Sequence, residues 1–264
     1  MTGGGACGLT LWRDPPGEGS WNMAADEGLA QFSEQTGRVL MRLYGWQPAT
    51  LSLGSFQQCA AVGDVPQVAG WPVVRRSSGG GALVHGTDLT YGLAVPTDHP
   101  WSRRAEDLYA AVHSALVEVL RERGLAARLA TPVSTQAAEE FFCFNRRSFG
   151  DVVIERASDP AGAGDDKVLG SAQRRLAGVV LQHGSLLLRR HPEMTGVGSH
   201  PGIEDLAGGR DVSTAAVIDQ WLERLADRLG GGLVENAGPS WKSHAVDLAP
   251  RAARYASSAW LNRR

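Results

Sequence analysis

The chain has 264 residues and a formal charge of −2, with 43% hydrophobic and 20% charged residues. Such a composition is typical of a globular protein with one sizeable core, so we expect a single main domain. A net charge this small gives no overall attraction for nucleic acid or for an anionic membrane surface.

Cysteine usage and hydropathy indicate the compartment. Cys7, Cys59 and Cys143 are too few and too scattered for a disulfide framework, and no Cys/His group has the spacing of a zinc site. The first residues lack the pattern of a secretion signal, and no run approaches the roughly 18 apolar residues that cross a bilayer. We therefore expect a cytoplasmic protein that binds neither metal, nucleic acid nor membrane.

The first part of the chain is dominated by predicted strands. Residues 9–14 alternate apolar and polar side chains as a strand does, and residues 21–30 have helical spacing behind a plausible Ser20 cap. Turn residues then separate further predicted strands, at residues 39–44, 50–54, 73–76 and 89–95.

The rest of the chain adds two amphipathic helices, which the spacing of apolar residues predicts over 102–123 and 213–229. Strands are predicted at residues 125–130, 151–155, 167–171 and 178–188, the last two separated by the polar residues 172–175. Strand runs broken by a few helices favour an α+β fold with a mixed, largely antiparallel sheet flanked by helices. The tail after Gly230 shows no clear pattern.

A run of three glycines follows two arginines in the segment Arg75 to Gly81. Glycine permits positive φ and close backbone approach, so the N–H groups of Ser78 to Gly81 could converge on a phosphate, a carboxylate or an oxyanion. Arg75 and Arg76 would add positive charge. The structural alternative is a tight turn or a bulge. A Walker pattern and a dinucleotide fingerprint are both absent.

Lys167 and Cys143 are the candidate reactive groups. Lys167 precedes an extended Gly-Ser segment, where a partly desolvated amine can act as a base or orient an anion; alternatively it is a solvated lysine at a hairpin end. Cys143 has aromatic neighbours and is either a small buried core residue or a nucleophile. The second reading requires a cation that favours the thiolate, and Lys167 is one candidate.

Two histidines each precede a glycine at predicted strand ends. His85 and His183 could each orient a substrate or satisfy a buried hydrogen bond, while Asp88 and Asp151 are given supporting roles. A nucleophile, a cation and an anion cradle in one cleft would together indicate acyl transfer.

At these residues the sequence resembles the lipoate-protein ligase, octanoyltransferase and biotin-protein ligase superfamily. The similarity covers most of positions 10 to 190, and its most specific part is the pattern Lys-x-x-Gly-Ser-Ala-Gln-Arg-Arg at 167–175 with Gln-His-Gly-Ser-Leu at 182–186. The other similar segments are residues 22–27, 48–57, 75–91 and 151–154. The resemblance implies a mixed sheet flanked by helices and a glycine loop that lines the acyl or acyl-adenylate pocket.

Site residues follow from the same resemblance. It implies Cys143 and Lys167 as the catalytic residues. The implied substrate-binding residues are Arg75, Arg76, Ser78, Gly79, Gly80, Gly81, His85, Gly170, Ser171, Ala172, Gln173, His183 and Gly184.

The position of Cys143, a few residues before Asp151, is similar to that in the cysteine-dependent octanoyltransferases that resemble lipoate ligases. Two departures from that pattern bear on which donor or carrier fits: an extra loop at residues 158–165, and Phe142 where alanine is common. We accordingly expect a flexible N-terminus at 1–8, an acyltransferase catalytic domain at 9–230 and a C-terminal extension at 231–264 packing on the same domain.

The implied activity is transfer of an octanoyl group from acyl carrier protein to the lysine of a lipoyl domain or glycine cleavage H protein, through a cysteine acyl-enzyme and without a cofactor. The alternative is a lipoate-protein ligase that uses ATP and magnesium to form lipoyl-adenylate, with Cys143 as inert packing. A non-catalytic protein that binds acyl carrier or lipoyl domains, and a biotin ligase, are further alternatives that these residues favour less.

Overall fold

The structure, a computed structural model, describes residues 8–131, 140–156, 164–210, 212–236 and 247–263. Its helices are α1 (Gly19–Thr36), α2 (Ala105–Glu122), α3 (Ile203–Leu206), α4 (Thr214–Arg228), α5 (Ala249–Ala256) and α6 (Ser258–Leu261). Its strands are β1 (Leu9–Arg13), β2 (Leu40–Tyr44), β3 (Thr50–Leu53), β4 (Val73–Arg75), β5 (Leu83–His85), β6 (Asp88–Pro96), β7 (Ala127–Leu129), β8 (Val152–Ile154), β9 (Asp166–Arg175), β10 (Val179–Leu187) and β11 (Leu233–Glu235).

Eight strands form the main sheet, in the order β11-β1-β2-β6-β10-β9-β8-β7. β1 pairs in parallel with β2 and β11, and all the other neighbours are antiparallel. This arrangement confirms the predicted α+β fold with a mixed, largely antiparallel sheet. None of the described helices is long and apolar enough to cross a membrane.

Both faces of this sheet are covered by helices, because successive side chains of a strand point to opposite faces. In β6, Leu93 belongs to the core cluster that includes α2 and α4, whereas the next residue, Ala94, packs in the cluster that includes α1. The centre of the sheet is therefore buried from both sides, and the long hairpin of β9 and β10 lies within it.

A smaller sheet carries the glycine loop. Its order is β4-β3-β5, so the loop from residue 76 to 82 leaves one edge strand and returns through the other. Beneath it lies a separate apolar cluster that includes Leu51, Leu53, Ala82 and Phe142. Ala82 forms an isolated bridge with Phe142, which attaches the Cys143 segment to the end of the glycine loop.

Two local predictions were wrong. Residues 172–175 continue β9 instead of forming a turn, because their polar side chains find partners, as when the Gln173 amide donates to Gln182 Oε1 at 2.6 Å. The reversal is the short segment 176–178, closed by a hydrogen bond from Leu176 N to Val179 O. α1 begins at Gly19 after Glu18, without a side-chain cap from Ser20.

The described C-terminal residues pack against α1 and β4. Glu27 of α1 accepts hydrogen bonds from Tyr255 and Arg254, at 2.6 and 2.5 Å. The indole N–H of Trp260 donates to the carbonyl of Arg75 at 2.9 Å, so α6 lies directly beside the start of the glycine loop. The predicted flexible N-terminus and the predicted extra loop fall almost wholly outside the described residues.

Candidate active site

Cys143 begins a short 3-10 turn, Cys143–Asn145, that is fastened to the glycine loop. Ala82 N donates to Phe141 O and Cys143 N donates to Ala82 O, each at 2.8 Å. A Cβ atom on Gly81 would lie 2.8 Å from Cys143 N, closer than real Cβ contacts allow. The third glycine of the run is therefore what lets the cysteine segment approach the loop.

Lys167 reaches the same place from β9. Its Nζ atom lies 3.6 Å from Cys143 Sγ and 3.4 Å from Cys143 O, and it forms a 2.8 Å ion pair with Asp151. The strand carries a bulge here, because Val153 pairs with Lys167 while Val152 pairs with Leu169, which leaves Val168 as an extra residue. The structure thus brings together the two groups predicted to be reactive.

Gly170 explains the spacing of the lysine motif. The Lys167 side chain folds across the backbone of Gly170, where a Cβ atom would lie 2.6 Å from Nζ. Only a residue without a side chain leaves this space open for the amine.

The ammonium form of Lys167 is favoured in this setting. Burial acts to lower the pKa of Lys167, but the negative charges available on Cys143 and Asp151 outweigh it and raise that pKa above its ordinary value. The side chain is 2% exposed, so water does little to screen these charges. A fixed ammonium 3.6 Å from the sulfur is placed to stabilise negative charge that develops there during a reaction.

Asp151 is itself held by two further donors. Its carboxylate accepts hydrogen bonds from the Tyr109 hydroxyl at 2.7 Å and from Ser148 N at 2.6 Å. Burial, followed by the charge of Asp151, raises the pKa of Tyr109, which stays a phenol and a donor. Sequence reasoning gave Asp151 only a supporting role and missed Tyr109, although Tyr109 and His113 lie four residues apart on α2 and share a face.

His113 joins α2 to the other wall of the site. Burial lowers the pKa of His113 to about 4, so the ring is neutral at pH 7. Its Nδ1 faces the carbonyl of Gly150 at 2.7 Å and must carry the proton, and its Nε2 therefore accepts from Ser171 Oγ at 2.7 Å. Ser171 in turn accepts from the Tyr91 hydroxyl at 2.7 Å, which fixes the direction of this chain of hydrogen bonds.

A cavity with about 430 Å³ of empty space, its mouth included, opens beside Cys143. Many of the predicted substrate-binding residues line it, namely Arg76, Gly79, Gly80, His85, Gly170, Ser171, Ala172, His183 and Gly184. Its other lining residues, which sequence reasoning did not select, are Met23, Tyr44, Trp46, Leu83, Thr90 and Ser185. Cys143 is partly exposed whereas Met23, Tyr44 and Trp46 are buried, so the cavity runs from the sulfur into the core.

His85 and His183, the two histidines on the wall of this cavity, both form hydrogen bonds with other residues of the protein. His85 contacts Asp88 Oδ2 at 2.8 Å and Ser52 Oγ at 2.7 Å, and its ring stacks on Trp46 with centroids 3.8 Å apart. Burial alone would raise the pKa of Asp88, but the contact with His85 outweighs it and the net pKa is lowered.

His183 occupies a similar position at the other side of the cavity. Its two ring nitrogens contact Ser78 Oγ and Asp26 Oδ2, the latter at 3.3 Å. Ser78 therefore lies behind this histidine, and a substrate role for either histidine remains a prediction.

The two arginines before the glycine loop have different surroundings. Arg75, expected to add charge to an anion cradle, instead donates to the backbone carbonyls of Gly54, Gln57 and Leu261, at 3.0, 2.6 and 2.8 Å. Arg76 lines the cavity but donates to Gly81 O at 2.7 Å and to Ser52, and burial lowers its pKa to about 10. Side chains of consecutive residues in an extended chain point to opposite sides, so Arg75 and Arg76 cannot both point into the cavity.

The fold and the site define an α+β protein with a cysteine–lysine pair at the mouth of a buried cavity. The model of the lipoyl protein ligase A/B catalytic domain family matches residues 18–195, and the chain belongs to that family.

Named relatives lie within the same family. The chain is 35% identical over 187 residues to octanoyltransferase LipM of Kyrpidia tusciae, which covers 67% of this chain and 65% of that protein. It is 35% identical over 179 residues to octanoyltransferase LipM of Bacillus subtilis, covering 64% and 61% of the two chains. The match thus spans less than two thirds of either relative's own length.

Solved structures share the fold. A putative lipoate protein ligase from T. acidophilum superposes with a TM-score of 0.72 at 20% identity, covering 98% of this chain and 99% of that one. A lipoate-protein ligase A bound with ATP gives a TM-score of 0.71, also at 20% identity, over 97% and 98% of the chains. These similarities confirm the fold predicted from the sequence motifs.

Gly170→Ala tests the Lys167 position. The new methyl group meets the flexible end of the lysine, so we expect the amine to leave Cys143, and overpacking to lower stability by about 1–3 kcal/mol. The rate of Cys143 alkylation by iodoacetamide at pH 7, measured well below the melting temperature of the variant, should fall several-fold. Gly63→Ala, a site with nothing within 4 Å, is the matched control. Unchanged alkylation in the Gly170 variant would contradict the assigned geometry.

Tyr109→Phe tests the support of Asp151. Losing a donor concentrates negative charge on the carboxylate, which then competes more strongly for the Lys167 ammonium and weakens its effect on the sulfur. We expect Cys143 alkylation at pH 7 to slow roughly threefold, because the ammonium is drawn toward the carboxylate and away from the sulfur. The comparison is made at several pH values, and a profile that coincides with that of the wild type would show that Tyr109 only fills space.

His113 makes stability depend on pH. Its pKa is about 4 in the folded protein and 6.5 in an ordinary environment, so the unfolded chain binds more protons between these values and stability falls as the pH drops from 6.5 toward 4. The expected loss is up to about 3 kcal/mol. In urea unfolding, the free energy of unfolding should change less with pH for His113→Asn than for the wild type. The variant should also be less stable at pH 7.5. Equal pH dependence in the two proteins would exclude a buried neutral histidine.

Proposed function

We propose that the protein is an octanoyltransferase that moves a medium-chain acyl group from acyl carrier protein to the lysine of a lipoyl domain or glycine cleavage H protein. The observation that carries this proposal is the 3.6 Å contact between Cys143 Sγ and Lys167 Nζ at the mouth of the cavity. The names of the relatives, octanoyltransferase LipM, support the acyl group and the reaction class.

In the first half-reaction the Cys143 thiolate attacks the carbonyl carbon of the octanoyl thioester. The tetrahedral intermediate collapses, the bond to the carrier sulfur breaks, and the acyl group remains on Cys143 as a thioester. The carrier leaves as a thiol after it takes a proton from the Lys167 ammonium. The acyl chain extends into the cavity between the β9–β10 hairpin and the glycine loop.

In the second half-reaction the amine of the acceptor lysine attacks the acyl-cysteine. Acylation has removed the negative charge of the sulfur, one of the two charges that raise the pKa of Lys167, so that pKa falls and the neutral amine left by the first half-reaction persists as a proton acceptor. Lys167 takes a proton from the incoming amine, an amide bond forms, and the Cys143 thiolate is released beside a restored ammonium. Protons and charges balance over the cycle.

The donor thioester already carries the activation energy of the acyl group, so the proposed reaction requires neither nucleotide nor metal. In the alternative ligase, Lys167 would contact an acyl-adenylate and Cys143 would be packing. The contact of the sulfur with a buried ammonium, instead of with apolar side chains alone, favours the transferase.

Acyl transfer to an apo lipoyl domain tests the function. We expect octanoyl-acyl carrier protein alone to increase the mass of the domain, and Cys143→Ala to reduce the reaction to background because no acyl-enzyme forms. Cys59→Ala is the matched control and should keep the wild-type rate. A separate mixture holds free lipoate, ATP and magnesium; modification there that survives Cys143→Ala would establish the ligase instead.

A further inference from the structure

A second and larger cavity adjoins Lys167. It contains about 1160 Å³ of empty space, including its wide mouth, and is lined in part by Phe144, Asn145, Lys167 and His200. The acyl cavity is lined by Cys143, so the two spaces meet at the cysteine turn and the lysine. A substrate that reaches Cys143 with its acyl chain in one cavity has room for its other end in the second.

Arginines give this second cavity its charge. Arg147 and Arg190 lie on its wall, and within the described part of the chain neither forms an ion pair with a carboxylate. Arg190 donates to Ser199 Oγ at 2.9 Å, and Arg147 donates to backbone carbonyls such as Asn145 O at 3.4 Å. Asp166, a carboxylate on the same wall, is paired with Arg156 at 2.6 Å.

Two residues on the same wall carry buried polar atoms without partners. In the described structure the Nε of Arg147 and the Nε2 of His200 are buried and make no hydrogen bond. Burial, then the positive charges of Arg147 and Arg190, lower the pKa of His200 to about 4. Buried polar atoms are nearly always hydrogen-bonded. These unpartnered atoms, beside two arginines that form no ion pair among the described residues, indicate a wall whose polar groups are completed when a ligand binds.

We propose that this cavity binds the phosphate ester of the thioester donor, at the carrier end of its pantetheine arm, through Arg147 and Arg190. The inference rests on the proposed function, because it takes the donor to be an acyl thioester on a phosphorylated arm. Guanidinium groups match phosphate oxygens in charge and geometry. The carboxylates on this wall, Glu140 and Asp166, form no ion pair with either arginine among the described residues, so a phosphate diester supplies their missing partner. The acyl end of the same molecule then lies at Cys143.

Calorimetric binding of two unreactive thioethers tests the site, with S-octyl-4′-phosphopantetheine compared with S-octylpantetheine. In the wild type we expect the phosphorylated compound to bind about tenfold more tightly, as charge-assisted hydrogen bonds to a phosphate require. In Arg190→Gln, and more so in Arg147→Gln/Arg190→Gln, the ratio of the two dissociation constants should approach one. Arg103→Gln removes an equal charge from an exposed position away from this cavity and should keep the tenfold ratio.

Equal affinity of the two thioethers for the wild type would overturn the proposal, and so would a ratio that the arginine variants leave unchanged. The binding of ATP and AMP is measured separately. If the variants lose affinity only for these nucleotides, the site binds a nucleotide phosphate and the proposal is wrong. Melting temperatures show whether each variant is folded. Because binding needs no turnover, a protein that binds the phosphorylated arm but transfers no octanoyl group refutes the proposed function and not this site.

Discussion

The buried contact of Lys167 with Asp151 and Cys143 is the interaction on which the site depends. Taking an ammonium out of water costs several kcal/mol, and a single carboxylate rarely repays that cost in stability. The protein nevertheless keeps this charge at 2% exposure, and arranges Gly170 and a β-bulge so that the amine can turn toward the sulfur. Such an arrangement is more typical of a functional site than of a stabilising ion pair, and it supports the proposed role of Lys167 beside Cys143.

Around this contact the walls are built from hydrogen bonds whose directions are fixed. Neutral His113 can accept only from Ser171, because its other nitrogen donates to Gly150. Gly150 precedes Asp151, so α2 supports the lysine's partner and the cavity wall through one ring. Closely packed, hydrogen-bonded polar groups resist rearrangement, which keeps the geometry of the Cys143–Lys167 pair constant.

Much of the fold could be predicted because the relevant signals are local. Helical spacing located α2 and α4, and alternation located the central strands. The exception is the C-terminal end of β9, where the polar residues resemble a loop but form hydrogen bonds across the hairpin. The C-terminal helices could not be placed from their short amphipathic pattern. Their position depends on contacts with Glu27 and Arg75, which lie more than 180 residues away in the chain.

The sequence by itself determined the family and the class of fold, and it predicted Cys143 and Lys167 as the reactive groups, because motif spacing and residue chemistry are readable without coordinates. The tertiary structure alone decided that sulfur and amine touch, that Arg75 supports a loop while Arg76 lines the cavity, and that Tyr109 and His113 belong to the site. Distances between strands and helices depend on packing across the sheet, and this packing is set by residues far apart in the chain whose contacts no local pattern encodes.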